Sequence, residues 1–135
     1  MARTDDDQHT RLFDVLDLEG VDAAELDLLQ SASEVASFRA GHALARQDDL
    51  GHEAFVILDG EVEALRDGRH LTVHGPGDVV GELAVLGGQR RAADLVARSD
   101  VDTVVFDVRS FQRAIHGSDR LRAHVEQAVI AHSVS

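Results

Sequence analysis

Apolar and polar positions change rhythm twice along the chain. Between Thr10 and Ser33, TRLFDVLDLEGVDAAELDLLQSAS, the apolar residues recur at helical spacing. Leu12, Phe13, Leu16 and Leu18 make a short face that breaks near Gly20. Asp22 then reads as an N-cap, because its carboxylate can accept from first-turn amides, with Glu25 as its capping-box partner. Leu26, Leu28 and Leu29 form the apolar face that follows. Ahead of these helices, residues 1–9 are acidic and polar and read as a disordered tail.

From Ser37 the rhythm is that of strands. SFRAGHALARQDD is extended, with a turn at Ala40-Gly41. EAFVILDGEVEALRDGRHLTVHGPGD carries short runs of Val, Ile, Phe and Leu, separated by Asp59-Gly60, Asp67-Gly68 and Gly75-Pro76-Gly77-Asp78. Asp-Gly between apolar runs signals a hairpin, since both central residues of the tight turn take φ > 0. Pro76 sits in a turn, where its fixed φ helps and its missing N–H costs nothing. ADLVARSD and VDTVVFDV predict two more strands about a turn at Ser99-Asp100. Asp107 or Ser110 starts a helix that runs to about His116 and ends at Gly117. In SDRLRAHVEQAVIAHSV, Leu121, Val125, Val129 or Ala128, and His132 recur by threes and fours, which predicts a last helix over 119–134. Short strands at this spacing, with helices at both ends, predict an α+β domain built on a compact β-barrel or roll.

Composition narrows the function. The chain has 135 residues, the size of one domain, and is 44% hydrophobic, enough for a core without disulfides or metal. It has no cysteine, so thiolate–zinc sites and catalytic thiols are excluded. Thirteen Lys+Arg, all of them arginine, face 25 Asp+Glu, for a net charge of −12. Phosphate neutralisation supplies most nucleic-acid affinity, so DNA, RNA and anionic membranes are poor partners. The start, Met1 to Asp7, is the reverse of a signal peptide, and no apolar run approaches the roughly 18 residues of a membrane span. The expectation is a soluble, cytoplasmic protein.

The usual chemistries are missing from the pattern. None of the eight histidines falls in an HxH or HExxH motif. His70 and His74, four apart on a strand, would stand about 13 Å apart. His124 and His132 lie two helical turns apart, too far for one ion. The histidines are read as surface or partly buried side chains, not as a metal site. There is no GxSxG elbow, Walker A motif or GxGxxG. The chain is read as a non-enzyme with no metal and no cofactor.

One stretch remains, VGELAVLGGQRRAADLVA, Val80 to Ala97. Arginine presents a planar fork of donors that matches phosphate oxygens. Ala92 and Ala93 let an anion approach the backbone, and a short helix or turn near Leu83–Leu86 would turn amides inward. A carboxylate repels phosphate but can accept from a sugar hydroxyl, as acidic residues do in dinucleotide sites. Glu82 and an arginine together describe a nucleotide pocket with a single phosphate.

These residues resemble the phosphate-binding cassette of the cyclic nucleotide-binding domain family, which includes catabolite activator protein and protein kinase A regulatory subunits. Val80-Gly81-Glu82-Leu83-Ala84-Val85-Leu86, Gly87-Gly88-Gln89 and Arg90-Arg91-Ala92-Ala93-Asp94-Leu95 follow its pattern without a gap. FRAGHALARQDD, AFVILDGEVEAL and HGPGD resemble its upstream signposts in the right order. The likeness covers roughly Leu12 to the C-terminus. It implies an antiparallel β-roll, a jelly-roll-like double-stranded β-helix, flanked by N-terminal and C-terminal helices, with residues 10–135 as one domain. It implies that Glu82 accepts the ribose 2′-hydroxyl and that Arg91 pairs with the cyclic phosphate, helped by the N–H groups of Ala92 and Ala93. Gly81, Leu83 and Ala84 would line the short helix.

The resemblance also carries expectations about ligand and output. Ala92 stands where members preferring cGMP often place threonine, so the ligand is expected to be cAMP rather than cGMP. The helix over 119–134 would be a lid over the base, capped by Val125, Ile130 or His124 in the absence of Trp and Tyr. Val80, Arg90 and Asp94 replace the usual Phe, Pro and Thr or Ser. Strand alternation puts Ala93 on Arg91's face and Asp94 on the other, so Asp94 is expected to point outward. Read as it stands, the chain carries no output domain after the last helix. A sensor is therefore expected to act through an unknown effector protein or through a homodimer along that helix. The alternative is a protein-interaction or dimerisation module that kept the fold and lost the ligand.

Overall fold

Eight strands divide between two four-stranded antiparallel sheets in a computed structural model that describes residues 23–88 and 90–133. The expected tail, the apolar face from Leu12 to Leu18 and the Asp22 cap lie outside those residues, as does the Leu26 side chain. The chain opens with α1 (Ala23–Ala32), then β1 (Glu34–Phe38), β2 (Ala43–Ala45), β3 (Glu53–Asp59), β4 (Val62–Arg66), β5 (Arg69–His74) and β6 (Val79–Val80). It continues with α2 (Glu82–Gly87), β7 (Asp94–Ala97), β8 (Val101–Asp107), α3 (Val108–Gly117) and α4 (Asp119–Ser133). The first sheet has the order β1-β8-β3-β6 and the second β2-β7-β4-β5.

Successive strands alternate between the sheets at every connection except β4–β5, which makes the pair a roll. Only at that connection does Asp-Gly form the expected hairpin. Asp67 and Gly68 both take positive φ, 54° and 77°, and Arg66 pairs with Arg69. Asp59-Gly60 is instead a corner between sheets. Gly60 has φ 88°, Asp59 does not share it, and a Cβ on Gly60 would lie 2.2 Å from the Asp100 carbonyl. The same residue pair thus serves either turn, and tertiary packing decides which.

The first sheet is buried on both faces, which explains the unbroken apolar run of β3. Phe55 and Ile57 join Val62, Ala64, Val80, Leu95, Ala97, Val101 and Val105 between the two sheets. Ala54, Val56 and Leu58 face the other way, onto Leu29, Phe111, Ala114, Leu121 and Val125 of the helices. The second sheet has one wet face, and β4 and β7 alternate between buried and partly exposed positions accordingly. The stripe expected on the last helix is used inside the chain: Leu121 and Val125 are buried, and Ala128 and Val129 pack against the same cluster. Among the described residues, no helix is long and apolar enough to cross a membrane.

Of the two candidates for the start of α3, Asp107 is the cap. Its carboxylate accepts the Ser110 N–H at 2.7 Å. Hydrogen bonding to Ser110 is the main reason its pKa lies below the ordinary 3.8. A lowered carboxylate contributes stability above its unfolded value and loses it as pH falls through the folded one. Asp107→Ala should cost about 1 kcal/mol, or roughly 4 °C in Tm by thermal melt at neutral pH. The gap between variant and wild type should close as the melt is repeated below pH 4.

Candidate functional site

The cassette folds around one buried cation. Arg91, 7% exposed, donates from Nη1 to the Gly81 carbonyl at 2.9 Å and from Nη2 to the Glu53 carbonyl at 2.6 Å. It thereby ties the first residue of β3 to the residue before α2. Gly81 is required for this. Its φ is 81°, and a Cβ there would lie 2.5 Å from Arg91 Nη1. The Arg91 backbone is fixed as well: its N–H donates to Asp49 O at 2.7 Å, and Asp48 N–H donates to its carbonyl at 2.8 Å. Asp48 holds φ 71°, the left-handed conformation that aspartate tolerates better than most residues. Arg90 turns to the same loop and donates to the Asp48 carbonyl at 2.8 Å.

Burial is the largest influence on the Arg91 guanidinium and lowers its pKa, while the fields of Glu53, Glu82 and Asp49 raise it. Arginine stays protonated through such a shift. Two of its five N–H donors are accounted for by the carbonyls. No ion pair joins Arg91 to Glu82 among the described residues, so the two charges are not simply satisfying each other.

Glu82 opens α2 and is fully buried. Its Oε1 is hydrogen-bonded to His132 Nδ1 from the end of α4. Its Oε2 has no hydrogen-bond partner among the described residues. A buried carboxylate oxygen without a donor is costly, on the order of 1–3 kcal/mol or more, and such atoms in native structures call for a specific reason.

Both charges line a cavity of about 760 Å³. Gly81, Leu83, Ala84, Ala92 and Ala93 line it with them, so every residue of the expected set borders one space. Arg66, Thr72, His74 and Asp78 add polar groups from the second sheet and the β5–β6 turn. The α4 wall consists of His124, Gln127, Ala128, Ala131 and His132. Of the three residues expected as base caps, His124 borders the cavity. Val125 does not, because it is 3% exposed within the helix-facing core, and Ile130 does not, because it points outward at 60% exposure. Asp94 is turned away from the cavity: its Oδ1 accepts the Gln47 N–H at 2.7 Å and ties down the loop after β2.

His132 and His74 were not singled out as site residues by the sequence pattern. Their rings meet edge to face, with centroids 5.1 Å apart and planes at 78°. His74 Nδ1 lies 3.7 Å from Asp78 Oδ2. One signal was present: His132 falls on an otherwise apolar stripe that must face the domain. No group of three or more His, Asp or Glu suited to a metal ion occurs among the described residues.

Comparison with known proteins agrees with this geometry. The family model described as cyclic nucleotide-binding domain matches residues 35–118. An uncharacterized protein of Mycobacterium tuberculosis is 39% identical over 84 residues, covering 62% of this chain and 17% of its own. The cAMP-dependent protein kinase regulatory subunit of Hypocrea atroviridis is 31% identical over 91 residues, covering 67% of this chain and 20% of its own. The regulatory domain of Toxoplasma gondii protein kinase A, solved with cAMP, superposes with a TM-score of 0.74 at 25% identity, over 91% of this chain and 50% of that one. The chain thus spans a fifth or less of these curated relatives. It belongs to the cyclic nucleotide-binding domain family.

Proposed function

We propose that the cavity binds cAMP and that the chain is a regulatory module whose output is the position of α4. The observation that carries this reading is the pairing of Arg91 and Glu82 across one cavity without an ion pair between them. A cyclic nucleotide supplies what each charge lacks. Its phosphate is an anion for the remaining guanidinium donors, and its 2′-hydroxyl is a donor for Glu82. The Ala92 and Ala93 N–H groups make no hydrogen bond to the protein among the described residues, and both residues border the same space. Alanine at 92 offers no hydroxyl to a guanine edge, which favours adenine. Because α4 forms one wall of the cavity, ligand contacts there can favour one helix position over another, which is the requirement for a switch. The recipient of the signal is an effector protein or a second copy. A second copy would have to use the outer face of α4, where Ile130 is exposed, since the apolar stripe is spent inside the chain.

Titration calorimetry with cAMP and cGMP tests this directly. Wild type should bind cAMP more tightly than cGMP. Arg91→Ala should weaken cAMP about a hundredfold or more. Because Arg91 also holds two carbonyls, Arg91→Lys serves as a second variant; it keeps the charge, loses the fork and should weaken binding with the circular dichroism spectrum unchanged. Absence of cAMP binding by a folded wild type would leave the ligand-free interaction module as the correct reading.

The sugar contact has its own test. 2′-Deoxy-cAMP should bind wild type about tenfold to a hundredfold more weakly than cAMP. In Glu82→Ala the two ligands should bind alike, the cycle assigning the difference to this one contact.

A further inference from the structure

The contact between α4 and Glu82 is more than packing. We propose that His132 is the positioning residue for Glu82: its imidazole docks α4 on the buried carboxylate and leaves Oε2 for the ligand's hydroxyl, so that protonation of His132 sets how tightly the cavity holds its ligand. The ligand half of this inference rests on the nucleotide reading above.

The geometry supports it at each end. Glu82 is fully buried and borders the cavity, one oxygen is hydrogen-bonded to His132 Nδ1, and the other has no hydrogen-bond partner among the described residues. His132 is itself about three-quarters buried, and it is the last cavity-lining residue of α4. A carboxylate alone in that position would repel the phosphate that Arg91 attracts. An imidazolium on it neutralises the repulsion and holds the side chain in one rotamer. A charged donor makes this bond about twice as strong as a neutral one.

The surroundings determine which histidine carries the proton. Glu82 acts on His132 from α2, Asp78 from the β5–β6 turn and His74 from β5, while β6 brings only Val79 and Val80. Arg91 acts on the Glu82 side of the pair. The Glu82 hydrogen bond raises His132 above 6.5, against the opposing effect of burial. Burial, then the charge on His132, lowers His74 below 6.5. Of the two, His132 is the one whose charged form the surroundings favour.

The sign follows. A histidine raised by docking contributes docking stability that is complete below its undocked value and lost as pH rises through its docked one. Apparent affinity scales with the docked fraction. Affinity for cAMP should thus be highest near pH 6 and fall by roughly threefold to tenfold by pH 8.5.

The experiment has two arms. In the ligand-free protein, the His132 ring resonances should titrate above the ordinary value in wild type and move back toward it in Glu82→Gln. In calorimetry from pH 6 to 8.5, His132→Gln, which keeps a donor but cannot be charged, should bind cAMP more weakly than wild type at pH 6 and with a nearly flat profile. His132→Ala should be weaker still. A His132 that titrates normally, or a wild-type slope retained by His132→Gln, would overturn the proposal. So would tighter binding by His132→Ala, which would make His132 a competitor of the ligand. If wild type binds no cAMP at any pH, the nucleotide reading fails, and the ligand-free titration alone decides the His132–Glu82 pairing.

Discussion

The Arg91 guanidinium, held inside the roll by the carbonyls of Gly81 and Glu53, is the constraint on which the rest of the cavity depends. Burying a guanidinium costs several kcal/mol unless donors and charge are compensated. Here the compensation is backbone, and backbone carbonyls can be offered only if the chain is shaped to present them. Gly81 takes a left-handed conformation that clears the way for Nη1. Asp48 takes another, in the loop that brackets the Arg91 backbone. The start of β3, the start of α2 and the approach to β7 are thus positioned by one side chain. The fold stabilises the cation incompletely, and the incompleteness is what an anionic ligand can use.

Glu82 presents the mirror problem. It is buried at the start of α2, with one oxygen given to α4 and the other to no donor among the described residues. If the two charges paired with each other, neither would be left to face a ligand. They are instead held by different partners: Arg91 by the carbonyls of Gly81 and Glu53, Glu82 by the helix that closes the far wall. That division puts the end of α4 in direct contact with one of the two charges that line the cavity. It also places the most pH-sensitive residue type on the contact between them.

Much of this was legible in the sequence, and the failures have physical causes. The run Ala54 to Leu58 reads as a strand because its five apolar residues serve two cores, one on each face of the first sheet. Asp67-Gly68 reads as a hairpin and is one. Asp59-Gly60 reads identically and is a corner, because hairpin and corner share the local need for positive φ and differ only in what the next strand packs against. The cassette stood out in the sequence by its resemblance to the family pattern, and the fixed spacing of that pattern has a physical counterpart here in the contact between Gly81 and Arg91. Asp94 points away as expected, but not by alternation from Arg91: β7 begins only at Asp94, and Arg91, Ala92 and Ala93 before it all border the cavity. The α4 wall was not readable. Which face of a helix meets a cavity depends on its rotation about its axis, and a stripe of Val, Ala and His leaves that rotation open by a residue either way. Val125 fell to the core, Ile130 to solvent, and His132 to the carboxylate.

The family model and the superposed kinase regulatory domain place the fold and family beyond the cassette alone. What this chain adds is a histidine-held carboxylate and a cavity wall on α4 made of His124, Gln127, His132 and small residues. The central claim is that Arg91 and Glu82 grip opposite ends of one nucleotide. A crystal structure of the protein grown with cAMP near pH 6 tests it most directly. It should show the cyclic phosphate on the Arg91 guanidinium and the 2′-hydroxyl on Glu82 Oε2, with His132 still bonded to Oε1. A nucleotide seated elsewhere, or one in the cavity whose phosphate does not meet Arg91, would contradict the account.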